Sequence, residues 1–307
     1  IVFKIGPRIN AAGRMEVDSD DENAAPSGGH SAVYLMVARD EEVASEYGAF
    51  IDTCNQDRKN IDRSITQEAH EIIESRPELK NRKSTVIYNP KWMKGIVGIV
   101  ASRLIETYYR PTVVLTMSNG YVTGSARSVP GFDLYQAVES CADLLENFGG
   151  HIYAAGLTMR PENVDEFTRR FNAYVEENID PQMLMPQVDI DSELLFSDIT
   201  PAFRKDLNRF QPFGPGNTAP VFATYGVSNH GDAKLVGVEC EHLRMDLIQR
   251  QKPNTKIQSI AFQQPTHYEW VRSGRPIDVC YQIVENHYRG TVTTQLRIKD
   301  IKPVLNK

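Results

Sequence analysis

Cysteine is scarce and scattered. Only Cys54, Cys141, Cys240 and Cys280 occur in 307 residues, and no two form a Cys-x-x-Cys pair. That spacing argues against a zinc site and a disulfide framework, and it points to a reducing, cytoplasmic setting. Long apolar runs are missing too, with nothing near the roughly 18 residues of a membrane span. No signal-peptide pattern opens the chain, which begins Ile1-Val2-Phe3-Lys4 without an initiator Met. A start inside an apolar run is expected of a piece of a longer protein. Positive charge is not in excess either. The net charge of −6 does not advertise a nucleic-acid partner. The balance is uneven, however: residues 186–307 carry a net +2 and residues 1–185 a net −8. The remaining composition, 41% hydrophobic and 24% charged, is ordinary for a globular protein of about two domains.

The most informative stretch is Phe148-Gly149-Gly150-His151-Ile152-Tyr153-Ala154-Ala155-Gly156. Two glycines allow a tight turn and close backbone approach to a ligand. His151 can donate a hydrogen bond to an anion. Periodicity predicts a helix from Phe132 to Asn147 ending just before the glycines, so a helix C-cap is the competing reading. Upstream, Gly6 to Met15 sets Arg8, Asn10 and Arg14 among small residues, a composition suited to phosphate oxygens or to a plain surface loop. Asp18 to Glu22 reads as solvated, and Ala24 to Gly29 as a flexible loop. A second Gly-Gly-His at Gly28 lacks the Ala-Ala-Gly continuation and reads as a chance repeat at a helix start.

Glu41 to Ser75 carries apolar residues at helical spacing and ends before Pro77, which predicts one long connecting helix. From Ser84 the pattern alternates between strand and helix. Gly95 to Leu104 opens a helix with glycines at its anion-favouring end. Asn119-Gly120 predicts a tight turn. Ser125 and Arg127, two apart on a strand, point to one face, as a phosphate clamp or as a solvated surface. Val164, Phe167, Phe171, Tyr174 and Val175 stripe a last helix, and Pro181 to Pro186 reads as a linker. Beyond it, Thr200 is a plausible N-cap, and Gln211 to Asn217 is too rich in Pro and Gly for a regular element. Six strand candidates between Val221 and Ile301 predict a small closed or partly closed barrel of a kind that often binds oligonucleotides. Phe262, Tyr268, Trp270, Tyr281 and Tyr288 supply aromatics there, most of them expected in the core.

Six stretches together resemble the RecJ family, the single-strand-specific 5′→3′ exonucleases of the DHH phosphoesterase superfamily. They are Gly6–Met15, Gly95–Leu104, Gly124–Asp133, Gly149–Gly156, Gln211–Phe222 and Gln295–Asp300, in the family order. The resemblance implies an α/β DHH-associated domain with a long connecting helix, followed by a mostly β OB-like barrel. Residues 1–40 would be the end of a DHH domain, 41–83 the connecting helix, 84–180 the DHH-associated domain and 186–307 the barrel. It further implies two divalent ions, Mn2+ or Mg2+, in the full-length protein, and a role in DNA repair and recombination. The partners implied are single-stranded DNA, a single-strand-binding protein and the missing DHH domain, with no membrane. The family's Asp-His-His signature is absent from this chain, and Asp18–Glu22 does not replace it. No metal ligand is therefore expected here, and the chain alone is expected to be inactive. Arg8, Asn10, Arg14, Ser125, Arg127, Gly149, Gly150 and His151 are the expected substrate or phosphate contacts. Met93 follows Trp92 where many relatives have His. The alternatives are a nano-RNase or cyclic-dinucleotide phosphodiesterase of the same superfamily, and a non-catalytic single-strand-binding module.

Overall fold

The computed structural model describes residues 5–15, 28–249, 252–288 and 290–304. The stretch Asp18–Glu22 and most of the loop expected at Ala24–Gly29 lie outside them. The chain divides into two compact units between Pro186 and Gln187.

The first unit opens with α1 (Ile5–Ala12) and α2 (Gly28–Val37), both packed on α3 (Glu41–Glu74). Gly6 to Ala12 is therefore helix rather than loop: Pro7 falls in the first turn, where its missing N–H costs nothing. Gly28 and Gly29 begin α2. A Cβ on Gly28 would lie 2.2 Å from the Ala12 carbonyl oxygen, so the glycine is what lets α1 and α2 touch. Asp40 caps α3 by accepting from the Val43 amide at 2.9 Å, and Glu41 and Glu42 suit the positive end of its dipole. Ile51, Ile65, Ala69 and Ile73 form its buried stripe. A short α4 (Pro77–Lys80) follows.

A five-stranded sheet comes next, with β1 (Thr85–Tyr88), β2 (Thr112–Ser118), β3 (Tyr121–Arg127), β4 (Leu145–His151) and β5 (Ala154–Met159) in the spatial order β1-β2-β3-β5-β4. Only β1 and β2 are parallel, joined by the crossover helix α5 (Lys94–Tyr108). Asn119 and Gly120, at φ 51° and 78°, make the β2–β3 turn. One sheet face packs against α6 (Leu134–Glu139) and α7 (Val164–Asn178), through Phe167, Phe171 and Val175. On the other face Val114 joins α5 and α3 in a second core with Trp92, Ile96, Val100 and Leu104.

The helix expected over Phe132–Asn147 is corrected. It stops at Glu139, and a single 3-10 turn leads into β4, which holds Gly149 and Gly150 inside the strand. The glycines are thus not a helix cap. Hydrogen bonding to β5, remote from any local helical preference, decides the conformation. The segment expected as a linker at Pro181 starts with a 3-10 turn whose Met183 and Leu184 pack on the first core.

The second unit begins with β6 (Ser192–Glu193) and α8 (Pro201–Asn208), which Thr200 caps by accepting from the Phe203 amide. Six strands follow: β7 (Phe222–Asn229), β8 (Lys234–Val236), β9 (His242–Gln249), β10 (Lys252–Ala261), β11 (Ile277–Tyr288) and β12 (Thr291–Pro303). A short α9 (Tyr268–Arg272) precedes β11. The strand order is β6-β7-β11-β12-β10-β9-β8, and an added β7–β9 pairing closes the sheet into a barrel. Its core includes Phe196, Leu243, Leu247, Tyr281 and Leu296. Tyr281 is fully buried, and its hydroxyl meets Thr224 Oγ1 at 2.8 Å. In the loop before β7, the Asn217 side chain donates to the Phe210 and Pro212 carbonyls, at 2.8 and 3.0 Å. That amide does the work a regular element would otherwise do.

Candidate nucleic-acid interface

The site follows from strand register. Ser125 pairs with Gly156, and Gly156 with Gly149; Arg127 pairs with Ala154, and Ala154 with His151. Directly paired residues project to one side of a sheet. Ser125, Arg127, Gly149 and His151 therefore share a face, the one opposite α6 and α7. Between the outer pairs stand only Gly156 and Ala154, so nothing taller than a methyl rises from the sheet there. Two strand spacings, about 10 Å, separate Arg127 from His151.

Arg127 is half-buried, and its Nη1 donates to Ser125 Oγ and to the Ala126 carbonyl, both at 2.8 Å. Burial pushes its guanidinium pKa down, and the nearby Arg14 charge adds to the effect. Two like charges held together favour an anion between them. Gly98 of α5 makes room for the pair: a Cβ there would lie 3.0 Å from Arg127 Nη2 and from Ser125 Oγ. Beyond the pair a cleft of about 750 Å³ runs past the first turn of α5. Among the described residues Arg14, Lys91, Lys94 and Arg127 all line it, and no Asp or Glu does. Among the described residues neither Arg14 nor Arg127 forms an ion pair.

The cleft wall is rigid. Trp92 Nε1 donates to Glu68 Oε2 at 2.9 Å, and Thr116 Oγ1 donates to the Trp92 carbonyl at 2.5 Å. Arg14 Nη1 donates to the Gly95 carbonyl at 3.2 Å, and a Cβ on Gly95 would sit 2.1 Å from the Arg14 carbonyl oxygen. His151 is exposed at the end of edge strand β4. Its Nδ1 accepts from the Tyr153 amide at 3.2 Å, so in the neutral ring Nε2 carries the proton and faces outward as a donor. Gly150 sits at φ 154°, where a Cβ would meet the Ala154 carbonyl oxygen at 2.2 Å.

Of the expected contacts, Arg14, Ser125 and Arg127 meet in the cleft, and Gly149, Gly150 and His151 lie on the same sheet. Arg8 and Asn10 do not line it. Both are on α1, where Arg8 Nε is bound to Asp52 Oδ1 of α3 at 2.7 Å. Sequence reasoning missed Lys91 and Lys94. The signal was the run Lys91-Trp92-Met93-Lys94-Gly95, two cations flanking the start of a glycine-opened helix. Met93 brings a thioether to the cleft lining, which removes any imidazole chemistry from that position. Among the described residues of the cleft, four cationic side chains without a carboxylate do not fit a divalent ion; they fit the anion such an ion would also hold. Among the described residues no three His, Cys, Asp or Glu side chains converge as a metal site, and no helix is long and apolar enough to cross a membrane.

The barrel has a basic strip of its own. Lys234 pairs with Arg244, Arg244 with Ile260, and Ile260 with Arg297, which sets three cations in one row. Phe262, 43% exposed, has His242 edge-on at 4.9 Å and the Arg297 guanidinium over its ring at 5.8 Å. Basic groups interleaved with an exposed aromatic suit single-stranded nucleic acid.

Comparison with known proteins gives a consistent picture. The DHHA1 domain matches residues 81–177 and the RecJ OB domain matches residues 190–300. The chain is 31% identical over 301 residues to the single-stranded-DNA-specific exonuclease RecJ of Bacillus subtilis, covering 97% of this chain and 36% of that protein. It is 31% identical over 312 residues to the protein of the same name from Dickeya dadantii, covering 98% and 51%. The crystal structure of RecJ from Thermus thermophilus in complex with Mn2+ shares the fold, with a TM-score of 0.75 at 24% identity, over 99% of this chain and 41% of that chain. The chain thus spans between about a third and a half of the length of these relatives.

Proposed function

The chain belongs to the RecJ family, carrying its DHHA1 and OB domains in that order, and from that premise we propose that it is the substrate-gripping part of a single-stranded-DNA exonuclease. The reaction is phosphodiester hydrolysis, 5′ to 3′, in DNA repair and recombination. Arg14, Lys91, Lys94 and Arg127 neutralise the phosphate, Ser125 orients Arg127, and the His151 Nε2–H donates to a phosphate oxygen. Divalent ions supply the activated water in such hydrolases. The ligands for those ions belong to residues outside this chain's cleft, so the chain alone has no nuclease activity. One observation supports this reading above the rest: a cleft lined, among the described residues, by four cations and no carboxylate, within the acidic half of the sequence.

The test is equilibrium binding of an oligodeoxythymidylate, followed by fluorescence anisotropy over a salt series. Affinity falls with salt, and Arg127→Gln weakens binding and flattens the log–log slope by about 0.7, the share of one single-strand phosphate contact. Digestion of the oligonucleotide by the purified chain with Mn2+ would contradict the assignment of the metal ligands. The barrel strip of Lys234, Arg244 and Arg297 favours a second reading, a binding module independent of the cleft. In that case Arg244→Gln abolishes binding while Arg127→Gln leaves it unchanged.

A further inference from the structure

Beside the bare sheet face stands the side chain of Tyr153. His151 and Ala154 are joined by the two-residue tip Ile152-Tyr153. Both tip side chains are exposed, 45% for Ile152 and 52% for Tyr153. A large exposed aromatic on a hairpin tip is usually left free to move, but this tip is held on three sides. The Ser128 amide donates to the Tyr153 carbonyl at 3.0 Å, and the Leu134 amide donates to the Ile152 carbonyl at 3.1 Å. The Tyr153 amide itself donates to His151 Nδ1. The backbone under the ring is thus fixed before any ligand arrives, which lowers the entropy lost on binding.

The ring has a defined orientation as well. It meets the His151 ring edge-to-face, with centroids 6.1 Å apart and planes at 72°. One edge-to-face contact leaves aromatic surface open, and among the described residues the Tyr153 hydroxyl has no hydrogen-bond partner. Next to it the sheet offers only Ala154, Gly156 and Gly149, so a flat group can lie low beside the ring without meeting another side chain.

We propose that Tyr153 is a base-stacking residue. Its ring packs against the nucleobase of the nucleotide whose phosphate is held by Arg127 and His151, so that the site grips a base and not only a charge. Stacking tolerates any base, because every base has a π face. Tyr153 therefore distinguishes a nucleotide with its base from an abasic one, without reading sequence. This rests on the cleft-and-sheet face being the phosphate site, as proposed above.

The test uses the full chain and oligodeoxythymidylates in which a single 2-aminopurine, or a single abasic site, is moved along the strand. One position is expected at which 2-aminopurine fluorescence is quenched and the abasic site lowers affinity roughly 5- to 150-fold. Tyr153→Leu removes both effects, and Tyr153→Phe keeps both. Arg127→Gln weakens intact and abasic strands alike. The stacking assignment is overturned if Tyr153→Leu keeps the quenching and the abasic penalty while Arg127→Gln still weakens binding. It is also overturned if Tyr153→Leu weakens intact and abasic strands equally, as a contact to protein or to the sugar–phosphate chain would. If Arg127→Gln has no effect on any strand, the phosphate site itself is what fails.

Discussion

At Gly150 the backbone adopts a conformation that L side chains rarely take, and the neighbouring strand leaves no volume for a Cβ. Gly150→Ala must therefore separate β4 from β5 near His151. Thermal or urea unfolding is expected to show a loss of about 1–3 kcal/mol, together with weaker single-strand binding. Two tyrosines give a second prediction at this scale. Burial, aided by Glu74, pushes the Tyr108 phenol up to about 12, and burial pushes Tyr281 up to about 12 as well. A raised phenol pKa means that the fold prefers the neutral form. Its contribution to stability is complete below the unfolded value near ~10 and is lost as pH rises toward about 12. In an alkaline ultraviolet titration, Tyr108 and Tyr281 should ionise only toward about 12, with the unfolding midpoint falling over the same interval. Tyr281→Phe should remove one late step. Residue types were the most legible part of the site. Ser125, Arg127 and His151 could be singled out by chemistry, because hydroxyl, guanidinium and imidazole suit phosphate wherever they stand. Arg8 carries the same guanidinium and stands on α1 against Asp52 of α3, outside the cleft lining.

Elements were legible where their causes were local. Thr200 and Asn119-Gly120 act within four residues, and each did what its side chain or backbone dictates. β4 was misread because its conformation is decided outside the segment, by pairing with β5 across the hairpin. Leu145 to Asn147 continues a helical composition, yet Leu145 and Asn147 pair with Met159 and Thr158 of β5. Lys91 and Lys94 were missed for a related reason: their run flanks a glycine-opened helix start, but it is packing of the Trp92 turn against α3 and β2 that brings them into one cleft with Arg127. The tie between α3 and α5 can be tested directly. Asp62 is buried, with its carboxylate 2.8 Å from Arg103 Nε and 2.8 Å from Arg103 Nη2, and 3.3 Å from Arg58. Arg103 keeps 44% of its side chain exposed, so water can take over part of its hydration when the partner is lost. Asp62→Ala is expected to cost about 2–3 kcal/mol, below the usual range for breaking a fully buried pair. A lower urea midpoint at unchanged m-value would show it.

For the whole molecule, the two units have separate hydrophobic cores. Residues 187–307 expressed alone are expected to fold and unfold cooperatively, checked by near-ultraviolet circular dichroism through the urea transition. Overall charge was a poor guide to the interface: the cationic cleft is embedded in the half of the chain with the greater negative balance. Steering by the net field is therefore weak, and attraction acts only within a Debye length or so of the cleft. The longest element has a mechanical consequence. Its 34 residues extend about 51 Å, and Asp62, Glu68 and Glu74 bolt its C-terminal half to Arg103, Trp92 and Tyr108. Those bolts flank the turn bearing Lys91 and Lys94. That turn is therefore fixed to the rod, so a displacement of the rod's C-terminal half would carry Lys91 and Lys94 with it.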